Sequence, residues 1–159
     1  MADSCGPAIA EGELPGLYIP PLMQLWNSLA RKDPTDRTLL PLLETLASIA
    51  VTTGHNFQPY ALECFENSMA MIETIQLQLS TATTEPSKIP EEDADPIVCA
   101  LDLIDGMVEG LGDSFSALVS SSARYGPNFV SMVHLLCQHD SSGIRMSAIA
   151  LVGDLARNA

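Results

Sequence analysis

Leucine, isoleucine, methionine and tryptophan recur along this chain at intervals of three and four residues, the spacing that lines one face of an α-helix. In IPPLMQLWNSLAR (19–31), Leu22, Leu25, Trp26 and Leu29 share a stripe, with Pro20 and Pro21 tolerated in the first turn. KDPTD then forces a turn. A second helix is predicted from about Arg37 to Thr53 on Leu39, Leu42, Leu43, Leu46, Ile49 and Ala50, with Gly54 as its stop. Two helices joined by so short a turn form an antiparallel hairpin.

The pattern recurs twice. A longer helix is predicted from about Pro59 to Leu79 on Leu62, Phe65, Met69, Ile72, Ile75 and Leu79, interrupted by the polar run TATTEPSKIPEEDAD. The next, from about Pro96 to Leu111, carries Ile97, Leu101, Ile104 and Val108, and Gly110 and Gly112 loosen its end. A short helix near Ser114 to Ala123 caps the turn. The last pair runs from about Pro127 to Gln138 through Phe129, Met132, Val133, Leu136 and Cys137, and from about Ser142 to Arg157 through Ile144, Ala148, Leu151, Val152 and Leu155. The second helices centre near residues 45, 103 and 149; with the acidic loop left out, their spacing approaches a two-helix repeat of roughly 40 to 47 residues.

The expected fold is therefore all-α, a HEAT-repeat α-solenoid of about three antiparallel helix pairs in a right-handed superhelix. Its parts would be the tail of a preceding repeat with a loop (1–18), a HEAT-like repeat (19–54), a second with an acidic insert at 81–95 (57–112), and a short helix plus a third (113–159). Together they would form one continuous segment. Neither end reads as a polar cap, which solenoids need. The chain is thus expected to be a piece of a longer solenoid and, alone, to self-associate or be marginally stable.

The 159 residues, 47% hydrophobic and 17% charged, suffice for the core of one ordinary domain, and only 5% aromatics favour helix packing over a β-sandwich. Seven basic residues against 20 acidic ones give 7 − 20 = −13, a field that repels phosphate backbones and attracts basic partners, so direct nucleic-acid binding is excluded. From Glu85 to Asp113 the acids Glu85, Glu91, Glu92, Asp93, Asp95, Asp102, Asp105, Glu109 and Asp113 are opposed only by Lys88. Cys5, Cys64, Cys99 and Cys137 form no C-x-x-C pair, so reduced, mostly buried thiols are expected and no metal or other cofactor. MADSCGPAIAEGELPG lacks the basic start of a secretory signal, and no apolar run could cross a bilayer. A soluble, intracellular protein without membrane insertion is the expectation.

Asp102, Asp105 and Glu109, spaced i, i+3 and i+7, share one helix face, where like charges weaken a helix by about a few tenths of a kcal/mol per pair. A cationic partner would relieve that repulsion through charge-assisted hydrogen bonds. Spacing alone favours a solvated polar face that keeps a hydrophobic solenoid soluble over a binding site. Trp26, in register with Leu22, Leu25 and Leu29, is expected to pack between helices rather than anchor a partner. His55, His134 and His139 share no face with a cysteine or carboxylate at ligand spacing, and no nucleophile triad or glycine-rich phosphate loop accompanies the acids. Enzymatic activity is not expected. The loop at 81–95 reads as a flexible linker, with a binding element or phosphorylated switch as alternatives. Arg145 and Arg157 are expected to neutralise helix C-termini or pair with neighbouring acids.

LLCQHDSSGIRMSAIALVGDLA (135–156) resembles a HEAT repeat, although Asp140 stands four rather than five positions before Ile144. IPPLMQLWNSLA with LLPLLETLASIA, IVCALDLIDGMVEGLG, and IRMSAIALVGDLA together resemble the importin-β (karyopherin-β) family, and within it the transportin branch, over a central-to-C-terminal stretch. The resemblance implies a nuclear import receptor that shuttles between cytoplasm and nucleus. Its second helices would line a concave acidic surface for the basic, Pro-Tyr nuclear localisation signals of cargo proteins. It implies cargo contacts at Glu44, Val98, Asp102 and Glu109, joined by Asp105 on the same face and, more weakly, Asp154. Other implied partners are Ran-GTP, mainly through repeats outside this chain, and nucleoporins in the intact receptor. The alternative is a HEAT-repeat scaffold organising a multiprotein complex.

Overall fold

The computed structural model describes residues 15–33, 36–82 and 91–158, and all regular structure within them is helical. The helices are α1 (Pro15–Lys32), α2 (Leu39–Thr53), α3 (Gln58–Ala82), α4 (Glu91–Leu111), α5 (Ser114–Ser121), α6 (Phe129–Leu136) and α7 (Ser142–Asn158), with short 3-10 turns at Gly54–Phe57 and Gly126–Asn128. The second helices of the three pairs, α2, α4 and α7, pack side by side in a row, α2 on α4 and α4 on α7. Helix α1 packs on α2, α3 on α4, and α6 on α7. This is a short HEAT-repeat α-solenoid of a few repeats, as the hydrophobic period predicts. Residues 83–90 of the loop expected at 81–95, and Cys5, lie outside the described residues.

Several helix ends have a local cause. Asp36 accepts hydrogen bonds from the Thr38 hydroxyl and from its backbone N–H (2.9 Å), and these bonds hold the Asp36 carboxyl below its usual pKa. Arg37 and Thr38 are thereby held in a turn, so α2 starts at Leu39 rather than Arg37. Gly54 ends α2 at φ +57°, its N–H returning to the Ala50 carbonyl. Helix α4 starts at Glu91 rather than Pro96, so Pro96 stands inside the helix, past its first turn, instead of opening it. Gly126–Asn128 takes Pro127 into a 3-10 turn, which delays α6 to Phe129.

The core runs continuously through all the helices, from Ile19, Met23 and Trp26 of α1 through Phe65, Met69 and Ile72 of α3 and Leu101, Ile104 and Met107 of α4 to Ile144 and Leu151 of α7. Trp26 is buried as expected. Leu25, Leu62 and Val152, assigned to buried stripes from the sequence, are instead exposed. In α1 the stripe that packs is Ile19, Met23 and Trp26, which leaves Leu25 on the shoulder of the helix. Helix α3 meets neighbours on more than one side, and its buried arc, Ala61, Cys64, Phe65, Ser68, Met69, Ile72 and Ile75, turns Leu62 outward. Phe65, Phe115 and Phe129 meet edge to face with centroids 5.4–6.0 Å apart, anchoring α5 between α3 and α6.

The contact between α2 and α4 depends on missing side chains. A Cβ on Gly106 would lie 2.9 Å from the Ala47 carbonyl oxygen, and one on Gly110 only 2.1 Å from that of Ala50. Gly110 therefore admits the backbone of α2 rather than loosening the end of α4. The loosening is done by Gly112 alone, at φ +55°. Cys64 and Cys99 are buried free thiols and Cys137 is a half-buried one.

Candidate acidic groove on the second-helix row

With α2 and α4 held this close, their exposed edges form the walls of a groove of about 320 Å³. Ala47, Ser48, Val51 and Thr52 of α2 line one wall, and Asp102, Asp105, Gly106 and Glu109 of α4 the other. The three α4 acids anticipated from their i, i+3, i+7 spacing thus do share one face. Asp102 and Glu109 are exposed and Asp105 is half-buried.

Neighbouring helices add to this row of charge. Glu44 stands exposed on α2, close enough to Asp102 to raise the pKa of the Asp102 carboxyl. The main cause of that rise is desolvation, and a hydrogen bond to Ser147 of α7 opposes it. Desolvation, followed by repulsion from Glu109 and Asp102, pushes Asp105 up to about 6, against a smaller opposing pull from Arg157. One oxygen of Asp105, Oδ1, is buried with no hydrogen-bond partner among the described residues.

Asp154 arrives from α7 and is nine-tenths buried, so it is a wall of the acid cluster rather than a surface contact. Carboxylate oxygens of Asp105, Glu109 and Asp154 all lie within 4.8 Å of one another. Arg157, one turn further along α7, pairs with Asp154 and supplies a guanidinium where a cation would otherwise be drawn. Val98, one turn before Asp102, is half-buried against the core with only an edge free. Glu44 and Asp102 therefore lie at one end of the row, and Asp105, Glu109 and Asp154 cluster at the other.

Sequence reasoning missed Ser147 and the α2 wall, because helix periodicity says nothing of which helix will stand opposite. It also left Asp95 unpaired, whereas Arg37 of the turn before α2 donates to it at 3.2 Å, an exposed pair. Of the two arginines expected to neutralise helix C-termini or pair with acids, Arg157 does so, whereas Arg145 donates to carbonyls of the turn that leads into α7, those of His139 (2.7 Å) and Asp140 (2.9 Å). His139 accepts the Ser141 N–H at Nδ1, and burial lowers its pKa. Among the described residues no helix is long and apolar enough to cross a membrane.

A row of carboxylates beside a shallow groove with small, partly apolar side chains can hold cationic side chains of an extended segment. No protein-family model matches the chain. It is 32% identical over 157 residues to Transportin-1 of Homo sapiens, which takes in 99% of this chain and 17% of that protein. It is 34% identical over 158 residues to Transportin-1 of Oryza sativa subsp. japonica (99% and 16%) and 30% identical over 155 to Importin subunit beta-2 of Schizosaccharomyces pombe (98% and 16%). The chain spans about a sixth of the length of these relatives.

Proposed function

Because the chain is homologous to a stretch of importin-β (karyopherin-β) family members, several of them named transportin, we propose that it is a transportin-type segment of a nuclear transport receptor. It acts by binding and performs no catalysis. Its task is to grip basic, Pro-Tyr nuclear localisation signals of cargo on the acidic row of second helices, with Asp102 and Glu109 as principal contacts and Glu44 and Asp105 beside them. Val98 offers the peptide a small apolar edge, and Asp154 shapes the cluster from below. The protein carrying this segment would move between cytoplasm and nucleus, with Ran-GTP releasing cargo and nucleoporins met chiefly through repeats beyond this segment.

The observation that carries this reading is the convergence of Asp102, Asp105 and Glu109 on one groove wall. Assembled carboxylates repel one another, and an incoming Arg or Lys removes that repulsion while forming charge-assisted hydrogen bonds. The long-range field of a −13 chain speeds the encounter and makes it salt-dependent.

Fluorescence anisotropy of a labelled basic Pro-Tyr peptide tests it. Binding should be weak, should weaken further between low and physiological salt, and should be lost in the double variant Asp102→Ala, Glu109→Ala. A well-folded chain that binds no peptide at low salt, or a double variant that binds as tightly as the parent, overturns it.

A further inference from the structure

The acid cluster at the α7 end of the groove already holds a cation from its own chain. Arg157 pairs with Asp154, three residues before it on α7. The two partners differ in their surroundings: the Asp154 side chain is 7% exposed and that of Arg157 75%. One is fixed in the wall, and the other is an arm at the rim. The field of the guanidinium reaches past its partner, because it pulls the Asp105 pKa down against the rise imposed by burial, Glu109 and Asp102. Carboxylate oxygens of Asp105, Glu109 and Asp154 lie within 4.8 Å of one another, and Asp105 Oδ1 is buried with no hydrogen-bond partner among the described residues. Arg157 thus lends charge to this cluster without satisfying all of it. The other end of the row differs, since the group that opposes the rise of the Asp102 pKa is the neutral hydroxyl of Ser147.

We propose that Arg157 is a tethered rival of the cationic peptide: it seats its guanidinium among Asp105, Glu109 and Asp154, and an incoming Arg or Lys must displace it to bind at that end of the row. The inference rests on the peptide-binding reading of the groove. An ion pair with one partner this exposed breaks at little cost. Asp154 left alone in the wall would be penalised as an unpaired buried charge. The exchange therefore goes forward when a second cation takes over the same carboxylates, and Arg157 swings into solvent. Until then Arg157 keeps the cluster ionised and lowers its affinity for any other cation. The Glu44 and Asp102 end, which Arg157 does not serve, engages the peptide without this competition.

Arg157→Gln measured beside Arg124→Gln tests the proposal. Each removes one positive charge, but Arg124 stands over the Tyr125 ring and lines no part of the groove. At pH 8, where the acids are ionised, anisotropy of the labelled basic Pro-Tyr peptide should show Arg157→Gln binding about three- to fivefold more tightly than the parent, and Arg124→Gln within about 1.5-fold of it. Glu109→Ala should cost more affinity in the Arg157→Gln background than in the parent, whereas Glu44→Ala should cost the same in both. Without peptide, a carbon-detected NMR titration should place the Asp105 carboxyl higher in Arg157→Gln than in the parent and return it to the parent's value in Arg157→Lys. If circular dichroism shows Arg157→Gln unfolded, the double variant Asp154→Asn, Arg157→Gln takes its place, because it removes both members of the pair and keeps the net charge; the same tightening is expected. A peptide that the parent binds but Arg157→Gln binds no more tightly, or that Arg124→Gln tightens equally, overturns this inference and leaves the reading of the groove standing. So does an Asp105 titration that Arg157→Gln does not move. A peptide bound by neither parent nor variant overturns both.

Discussion

Replacing Gly110 and Gly153 by alanine, one at a time, should move stability in opposite directions. Both glycines lie inside helices, where alanine is intrinsically favoured by about 1 kcal/mol. At Gly153 nothing opposes that gain, since a new methyl meets open space, and the variant should be about 0.5–1 kcal/mol more stable. At Gly110 the methyl would lie 2.1 Å from the Ala50 carbonyl oxygen and 2.9 Å from its carbon, both backbone atoms that cannot swing aside. Ordinary contact requires more than an ångström of additional separation between α2 and α4. Overpacking of this kind costs about 1–3 kcal/mol, and a backbone obstruction places it at the upper end. After the propensity gain is subtracted, Gly110→Ala should be destabilised by about 1–2 kcal/mol, which is a fall in Tm of roughly 2–8 °C for a chain of this size. Urea unfolding followed by circular dichroism gives both values. A neutral or stabilised Gly110→Ala with an unchanged m value would refute the close approach of α2 to α4, and with it the groove that this approach creates.

Asp105→Asn should stabilise the chain above neutral pH and do nothing below about pH 4. The folded-state pKa is raised to about 6 from an ordinary 3.8, so ionising the parent costs stability progressively between those values and by a constant amount above them. With solvent near the carboxylate, the difference at pH 7.5 should reach about 1 kcal/mol, read from urea midpoints of parent and variant across pH 4–8. The same protonation should weaken binding of a basic peptide as pH falls through 6, an anisotropy measurement in which a flat pH profile would exclude Asp105 as a contact. Phe115→Ala removes one ring of the aromatic trio and should cost about 3–4 kcal/mol; a loss below 1 kcal/mol in thermal or urea melts would mean that α5 is not anchored there.

The seven helices of the described residues were legible before any coordinates, because burial on one side of a helix imposes a 3.6-residue period on the sequence itself, and the strings from IPPLMQLWNSLA to IRMSAIALVGDLA carry that period plainly. Boundaries were less so: Asp36 delays α2, and Pro96 does not start α4. The common face of Asp102, Asp105 and Glu109 was equally a local matter, fixed by spacing within one helix. What stood across from them was not. That Ala47 to Thr52 form the opposing wall, that Ser147 reaches Asp102, and that Asp154 lies buried among acids rather than open to solvent all follow from how α2 and α7 dock on α4. Gly110 makes the point most sharply. In sequence it reads as a helix breaker, and only the approach of Ala50 shows it to be a seat for a neighbouring backbone. Local periodicity is encoded residue by residue and determined the helices and their faces. Desolvation, charge coupling and close approach depend on residues some 50 positions apart in the chain, and the tertiary structure alone decided those.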